Sequence, residues 1–236
     1  MDGILLFNKP ILWTSHDAVD FIRKKIRQKS VGHAGTLDPL ATGLLVMLIG
    51  KATKLSSVLT SMDKDYSGAL TLGFSTDTQD LEGRVLFGGQ PVFPDEARVH
   101  SIFAELTGNK LQTPPAYSAV RQKGKKMYEL ARQGAVIESQ PREVVISQFS
   151  ITRWDPPEVY FFLTCSKGAY VRSLCDDVGK RLGCGATLSA LVRNRVGPFR
   201  LAHALTRERT DRLPCDLLER MLLNFDPVRN ETVSRN

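Results

Sequence analysis

The chain has few of the residues on which metal and redox chemistry usually depends. Its 236 residues include four cysteines and four histidines. The cysteines form no C-x-x-C pair, and no histidine lies at zinc-finger spacing from them. We interpret the cysteines as reduced thiols of a cytoplasmic protein: Cys165, Cys175, Cys184 and Cys215.

Sequence motifs for bound nucleotides and metals are also missing. There is no G-x-G-x-x-G after a strand, no phosphate-binding loop and no H-E-x-x-H. The histidines are scattered, which suggests neither a metal cluster nor a Ser-His-Asp triad. We therefore expect no metal and no cofactor, and a mechanism built on a carboxylate.

Long hydrophobic runs are absent as well. The longest, at residues 44–49, is far too short to cross a bilayer. The N-terminus lacks a charged segment followed by a long apolar stretch, so we do not expect secretion. We expect a cytoplasmic protein without a membrane partner.

The charge balance is the first informative feature that is present. The chain carries 32 Lys and Arg against 25 Asp and Glu, a net charge of +7, while its hydrophobic content of 42% is ordinary. This excess suggests a polyanionic partner. Nucleic acid is favoured over membrane because no basic amphipathic helix stands out.

The hydrophobic pattern predicts interleaved strands and helices. Strands are predicted at residues 3–7, 44–49, 66–74, 144–153 and 159–165, and a helix beginning at Thr14 or Ser15 is predicted to bury Ala18, Val19, Ile22 and Ile26. Another helix is predicted at residues 172–182. The irregular order of strands and helices favours an α+β fold with a mixed sheet over a doubly wound fold.

One carboxylate stands out by its isolation. Asp38 lies in a glycine-bounded run, residues 32–45, that is otherwise glycine, small polar or apolar, and the nearest acids are Asp20 and Asp63. Such a carboxylate needs a cation or hydrogen-bond donors if it is buried. An Asx-type turn before a strand explains the run equally well, so both interpretations stay open on this segment alone.

Two pairs of residues bring a cation and a tyrosine to one face of an extended segment. Lys64 and Tyr66 are one pair, suited to stacking on a nucleobase while the ammonium meets a phosphate. Tyr170 and Arg172 are the other, and an arginine is a suitable counter-ion for a buried Asp. A tyrosine at a strand end and a surface arginine at a helix start are the plainer alternatives.

Residues 117–132 mix five cations with two tyrosines. That mixture suits the binding of structured RNA. An exposed loop and helix is an equally good interpretation of this segment.

Taken together and in order, these motifs resemble the TruB family of tRNA pseudouridine synthases. The resemblance runs from about Gly3 to Leu201 and is carried by residues 32–45, Lys64-x-Tyr66, residues 117–132 and Lys167-Gly168-x-Tyr170-x-Arg172. It implies the pseudouridine synthase fold, with a central mixed, mostly antiparallel sheet flanked by helices and loops. It also implies isomerisation of the T-loop uridine of tRNA, at tRNA position 55, to pseudouridine, on a flipped-out base and without a cofactor.

The resemblance assigns roles to single residues. Asp38 matches the catalytic nucleophile, and Arg172 matches the arginine that pairs with it. Tyr66 matches the ring that stacks on the target base and is a candidate for removing the C5 proton. Three further positions match substrate-binding residues, by supporting flipped-out nucleotides or lining the uracil pocket: His33, Tyr170 and Leu191. Contacts to RNA are expected from Lys9, Lys64, Lys123, Lys125, Lys126 and Arg132.

The resemblance also implies a domain organisation. We expect a catalytic domain over residues 1–205, with an RNA-gripping insertion at about 113–140, and a short helical tail at 206–236. The tail is too short for a full C-terminal PUA domain, so we expect weaker dependence on the distal acceptor stem. The expected partner is the T arm of tRNA, with no obligate protein partner, and the chain is expected to be a monomer.

Two alternatives remain open. One is a guide-RNA-dependent relative that acts on ribosomal RNA, against which the short tail argues. The other is a non-catalytic tRNA-binding or tRNA-folding protein, against which the presence of Asp38, Tyr66 and Arg172 argues. An Asp-dependent hydrolase would usually show a second acid or a metal cluster.

Overall fold

The structure is a computed structural model that describes residues 1–88, 94–115, 121–122, 125–126, 140–226 and 231–233. The chain divides into two compact units, which are described separately below. Unit 1 comprises Met1–Tyr66 and Val192–Asn236, and unit 2 comprises Ser67–Leu191. Most of the expected insertion at 113–140 lies outside the described residues.

The described residues contain both helices and strands, so the predicted α+β class is confirmed. The helices are α1 (Ser15–Ile26), α2 (Ser56–Thr60), α3 (Glu96–Glu105), α4 (Val171–Leu182), α5 (Arg207–Arg212) and α6 (Cys215–Arg220), with 3-10 turns at Gly50–Leu55 and Leu201–His203. The strands are β1 (Gly3–Lys9), β2 (Val31–His33), β3 (Thr42–Ile49), β4 (Lys64–Leu72), β5 (Phe74–Thr76), β6 (Val85–Gly88), β7 (Gly108–Gln112), β8 (Arg121–Gln122), β9 (Lys125–Lys126), β10 (Arg142–Asp155), β11 (Glu158–Cys165), β12 (Ala186–Val196), β13 (Phe199–Arg200), β14 (Asn224–Asp226) and β15 (Glu231–Val233).

Strand β3 organises unit 1. It pairs antiparallel with β1 along its length, from Gly3 opposite Ile49 to Lys9 opposite Gly43. Strand β2 also pairs antiparallel with β3, whereas the last residues of β12 run parallel to the start of β3. The parallel pairing sets Arg193 beside Gly43. The predicted mixed, mostly antiparallel arrangement is therefore confirmed.

Both faces of the β1–β3 pair are buried. Alternate residues of the two strands enter a cluster with α1, and the residues between them enter a second cluster on the opposite face. This double burial explains why residues 44–49 are uniformly apolar rather than alternating. The first cluster also receives Leu205, Leu218 and Leu222, and the second receives Val196, Phe199 and Phe225.

Helix α1 begins where the sequence predicts. Thr14 caps it by a reciprocal pair of hydrogen bonds: the Asp17 backbone N–H donates to the Thr14 hydroxyl at 3.0 Å, and the Thr14 N–H donates to the Asp17 carboxylate at 2.8 Å. The helix buries Ala18, Val19, Ile22 and Ile26, as the pattern predicts. Its first residue, Ser15, is thereby fixed and buried.

Unit 2 contains the neighbouring strands β4, β11, β10 and β7, in that order. Strand β10 pairs antiparallel with both β11 and β7. Helix α3 packs on this sheet, where the Phe103 ring stacks on Phe149 with 3.8 Å between ring centroids. Helix α4 begins directly after Tyr170, and β12 follows it. This arrangement brings Tyr170 and Arg172 to the start of a buried helix.

The expected short helical tail contains strands as well as helices. Residues 206–236 include the short helices α5 and α6, but they also include an antiparallel pair of strands, β14 and β15. The chain becomes extended after α6 because Leu223 exchanges two backbone hydrogen bonds with Ile4 of β1, each 2.8 Å long. Phe225 then packs near Phe199, 5.7 Å away between ring centroids. Tail residues thereby help to cover β1.

Candidate active site

Asp38 lies in a short loop between β2 and β3. The loop, residues 34–41 and called here the Asp38 loop, has Gly35 at φ +95° near its start and is followed by Gly43 at φ +99°. L-amino acids with side chains rarely adopt such backbone angles, so glycine is favoured at both positions. The Ala41 N–H donates to the Asp38 carbonyl at 3.1 Å, which makes a turn that leaves Asp38 half-buried. This turn uses the backbone carbonyl of Asp38, so it is compatible with presentation of the carboxylate, and the Asx-type turn stays a prediction.

Helix α1 anchors this loop through Ser15. The buried Ser15 hydroxyl accepts from the Leu37 N–H at 2.8 Å and donates to the Leu37 carbonyl at 3.1 Å. One side chain therefore satisfies both backbone groups of the residue before Asp38. Because Ser15 sits at the capped start of α1, the position of Asp38 is tied to that helix.

Lys9 and Lys64, two of the residues expected to contact RNA, are buried. Lys9 is fully buried, and its ammonium donates to the carbonyls of Pro10, Trp13 and Pro39. Lys64 is 7% exposed, and its ammonium donates to the carbonyls of Thr60 and Met62. Buried ammonium groups need such acceptors. Both lysines thus contact backbone segments of the fold, and Lys9 does so beside Asp38. Their expected contacts with RNA stay predictions.

Arg193 is the residue of unit 1 that sequence reasoning missed. It is among the largest fully buried side chains, and its guanidinium lies under the Asp38 loop. Nε donates to the Leu44 carbonyl at 2.7 Å, Nη2 to the Gly35 carbonyl at 3.0 Å and Nη1 to the Thr36 carbonyl at 3.4 Å. The available signal was an arginine in a strand next to apolar residues, but its partners are far away in sequence.

Two residues predicted to bind substrate lie around Arg193 in unit 1. Tyr66 is buried, and its phenol oxygen accepts a hydrogen bond from the Arg193 guanidinium. Burial lowers the pKa of Arg193, and the contact with Tyr66 opposes this lowering. Burial and the positive charge of Arg193 lower the pKa of His33, against a hydrogen bond with the backbone of Gly35. His33 Nδ1 is buried and has no hydrogen-bond partner among the described residues. Unit 1 thus brings together His33, the Asp38 loop and Tyr66 around one guanidinium.

Unit 2 holds Arg172 by an acid that the sequence did not single out. Arg172 Nη1 donates to the Thr78 carbonyl at 2.9 Å and lies 3.5 Å from the Asp80 carboxylate, and both charged side chains are almost fully buried. The Asp80 carboxylate also accepts from the Thr78 hydroxyl and from the Glu82 N–H. Asp80 is therefore a buried counter-ion of Arg172 that the sequence did not single out. The pairing of Arg172 with Asp38 stays a prediction.

Tyr170 and Leu191, the other two residues predicted to line the pocket, also belong to unit 2. The backbone of Tyr170 is fixed by the Gln112 amide, which accepts from the Tyr170 N–H at 2.7 Å and donates to its carbonyl at 2.9 Å. Leu191 is buried on β12. The start of α4 is additionally held by Ser173, whose hydroxyl donates to the Gln79 amide at 2.9 Å.

The remaining RNA-binding predictions fall in the segment of which little is described. Lys123 and Arg132 lie outside the described residues, and Lys125 and Lys126 are described only as the strand β9. Within the described part of the chain, no group of three or more His, Cys, Asp and Glu side chains is placed to hold a metal ion. The helices described here include none that is long and apolar enough to cross a membrane.

Two family models together match residues 23–226 of the chain. Residues 23–171 match the N-terminal domain of the TruB family of pseudouridylate synthases. Residues 172–226 match the tRNA pseudouridylate synthase B C-terminal domain. The junction between the two models falls within α4.

Curated relatives agree with these matches. A protein of Opitutus terrae named tRNA pseudouridine synthase B is 47% identical over 224 residues, which cover 94% of this chain and 92% of the relative. The protein of the same name from Syntrophotalea carbinolica is 41% identical over 236 residues, covering 100% of this chain and 77% of the relative.

Solved structures show the same fold in larger proteins. A chain from the crystal structure of a Cbf5-Nop10-Gar1 complex is 28% identical with a TM-score of 0.68, and the match covers 87% of this chain and 52% of that one. A chain from an H/ACA RNP bound to a substrate RNA containing 2'-deoxyuridine is 26% identical with a TM-score of 0.64, over 87% of this chain and 51% of that one. This chain therefore spans about half the length of those two solved chains.

Proposed function

Because the chain belongs to the TruB family of pseudouridylate synthases, we propose that it isomerises the uridine at position 55 in the T loop of tRNA to pseudouridine. The observation that carries the proposal is the Asp38 loop, in which buried side chains fix the backbone on both sides of one half-buried carboxylate. The relatives named tRNA pseudouridine synthase B support tRNA as the substrate.

The reaction conserves every atom of the nucleotide. The bond from C1′ to N1 breaks, the uracil turns, a bond from C1′ to C5 forms, and the C5 proton is lost while N1 gains one. No electron donor or acceptor is consumed. We propose that the Asp38 carboxylate is the nucleophile, either adding to uracil C6 or assisting departure of the base at C1′.

The other predicted substrate-binding residues have distinct proposed roles. Tyr66 stacks on the target base, and Tyr170 and Leu191 line the uracil pocket. His33 supports the flipped-out nucleotides by stacking, and partial burial lowers the pKa of its ring, which favours the neutral form. Extrusion of a base from a folded loop costs about a few kcal/mol, which contacts from the basic residues of the 113–140 segment help to offset.

The direct test is incubation of the purified protein with an unmodified tRNA transcript, followed by mapping of pseudouridine. We expect one modified site, in the T loop, in the presence of a chelator, and no product with Asp38→Asn. Asp20→Asn is a matched control, because Asp20 lies on the exposed face of α1 in an ion pair with Arg23. Product that survives Asp38→Asn would overturn the proposed nucleophile.

The guide-RNA-dependent alternative is kept as a second outcome of the same experiment. It is suggested by the likeness to the Cbf5 chain, which is more distant in sequence than the tRNA pseudouridine synthase B relatives. Activity on a tRNA transcript without any added RNA or protein supports the first proposal. Inactivity on tRNA, restored by a guide RNA paired to its target, supports the alternative.

The proposed setting follows from the proposed substrate. We propose that the chain acts as a monomer on the T arm of tRNA in the cytoplasm. All four cysteines are free thiols, which suits a reducing compartment. Light scattering of the protein alone and with tRNA tests the monomer, which is supported by a mass of one chain and contradicted by a mass of two.

A further inference from the structure

Arg193 lies in unit 1 as a fully buried cation, where a charge is costly to place. Its exposed fraction is 1%, and burial lowers the pKa of its guanidinium. An apolar side chain of similar size would usually fill such a position at lower cost. A buried charge at a site of this kind is better explained by the groups that it holds than by stability.

The guanidinium connects the start of the Asp38 loop with the strand that follows the loop. Its three hydrogen bonds to carbonyl groups reach Gly35 and Thr36, before Asp38, and Leu44, after it. The planar fork of an arginine can donate to acceptors on several sides at once, which a lysine cannot reproduce. The start of the loop is therefore fixed relative to β3 by one rigid group.

Gly35 and Gly43 both lie next to Arg193, one beside its side chain and the other beside its backbone. A Cβ on Gly35 would lie 3.5 Å from Arg193 Nη1, and a Cβ on Gly43 would lie 2.5 Å from the Arg193 carbonyl oxygen. Only at Gly43 is the approach too close for a Cβ, and there the neighbour is the Arg193 backbone, with which Gly43 pairs in parallel. At Gly35 the distance is an ordinary contact, and the positive φ is what favours glycine.

The guanidinium also holds Tyr66 by a hydrogen bond to its phenol oxygen. We propose that Arg193 is a positioning residue for the isomerisation, because its guanidinium contacts both the Asp38 loop and the Tyr66 phenol and fixes their relative positions. This inference deepens the proposed function and rests on it. Arg193 itself need not touch the substrate, since it acts through the two groups that do.

The test replaces Arg193 and separates turnover from binding. Arg193→Met is expected to lower kcat on a tRNA transcript by about a hundredfold, since displacement of a reacting group by an ångström can cost that much. The KM and the dissociation constant for tRNA are expected to stay within about threefold of the wild type. Arg193→Lys, which keeps the charge but not the fork, is expected to recover part of the loss.

Arg195 provides a matched control on the same strand. It is two residues further along β12 and forms a two-pronged ion pair with Asp65, with N···O distances of 2.6 and 2.7 Å. Arg195→Met removes a partly buried arginine without touching the Asp38 loop. We expect it to lower the melting temperature while kcat stays within about twofold of the wild type.

A second arm examines the link through Tyr66. If Arg193 acts partly through the phenol, Arg193→Met and Tyr66→Phe affect kcat less together than the sum of their separate effects. Full additivity would contradict that part of the inference.

The outcomes that overturn the proposal are specific. A folded Arg193→Met with wild-type kcat overturns it, as does a rise in KM alone. Failure of both Arg193→Met and Arg193→Lys to fold also overturns it, because the role would then be one of stability. A wild-type protein that forms no pseudouridine counts instead against the proposed function.

Discussion

Asp80 and Arg172 form an ion pair that is almost fully shielded from water, with exposed side-chain fractions of 4% and 5%. Asp80→Asn removes the negative charge and leaves the buried guanidinium without it. Loss of one partner of a buried pair typically costs about 3 kcal/mol of stability. Urea denaturation of the two proteins measures this difference.

Asp155→Asn is the control for this prediction. Asp155 pairs with Arg153 at an exposed position, where more than half of each side chain is accessible. Exposed pairs contribute about 0–1 kcal/mol. Equal losses in the two variants would show that burial does not strengthen the Asp80 pair.

We predict that the free energy of unfolding depends on pH through the protonation of His33. Its pKa in the fold is below that of the unfolded chain because the ring is buried near Arg193. Between the two values the unfolded chain binds a proton that the folded one does not, so this contribution is present above about pH 6.5 and is lost as the pH falls. His33→Gln is expected to lose less stability than the wild type from about pH 7.5 to about pH 5.5, by urea denaturation.

A second histidine serves as the reference for that comparison. His100 is exposed on α3, and His100→Gln is expected to keep the pH dependence of the wild type. If His33→Gln and the wild type lose the same stability, the neutral buried state of His33 is contradicted.

At the scale of elements, the start of α1 controls the Asp38 loop through Ser15. Ser15→Ala removes the partner of two buried backbone groups of Leu37, which costs about 1–3 kcal/mol of stability. It also frees the residue before Asp38, so we expect kcat to fall by about tenfold. Ser101→Ala on the exposed face of α3 is the control, with a change of less than about 0.5 kcal/mol.

Elements that depend on local signals could be predicted from the sequence. The cap of α1 at Thr14 and the buried strand at residues 44–49 are indicated by residues that are close together in the sequence, and the structure confirms both. The residues that hold the site could not be predicted in the same way. Arg193 and Asp80 find their partners through pairing of distant segments, and nothing in the neighbouring sequence names those partners.

The burial of Lys9 and Lys64 also could not be predicted from the neighbouring sequence. A lysine beside an apolar strand looks like a surface cation in a basic chain, but both ammonium groups are enclosed by carbonyls of turns. Their environment is created by the fold rather than by adjacent residues. Motif spacing was therefore sufficient to locate the segments of the site. The contacts of these two ammonium groups with backbone carbonyls could not be predicted from it, because they form only in the folded chain.

At the scale of the whole molecule, the net charge of +7 supports binding of a polyanion. Release of counterions on binding makes such affinity dependent on salt. We expect the dissociation constant for tRNA to rise by at least about tenfold between about 50 and 200 mM salt. Filter binding at several salt concentrations measures how the dissociation constant depends on salt. A dissociation constant that does not change with salt would contradict predominantly electrostatic binding.

The most direct measurement is the yield of pseudouridine at each position of an unmodified tRNA transcript, with wild type and Asp38→Asn in parallel. Melting temperatures of both proteins establish that the variant is folded. We expect stoichiometric pseudouridine at one T-loop uridine with the wild type and none with the variant. Modification by a folded Asp38→Asn protein, or its absence with the wild type, would contradict the proposed role of Asp38 in this reaction.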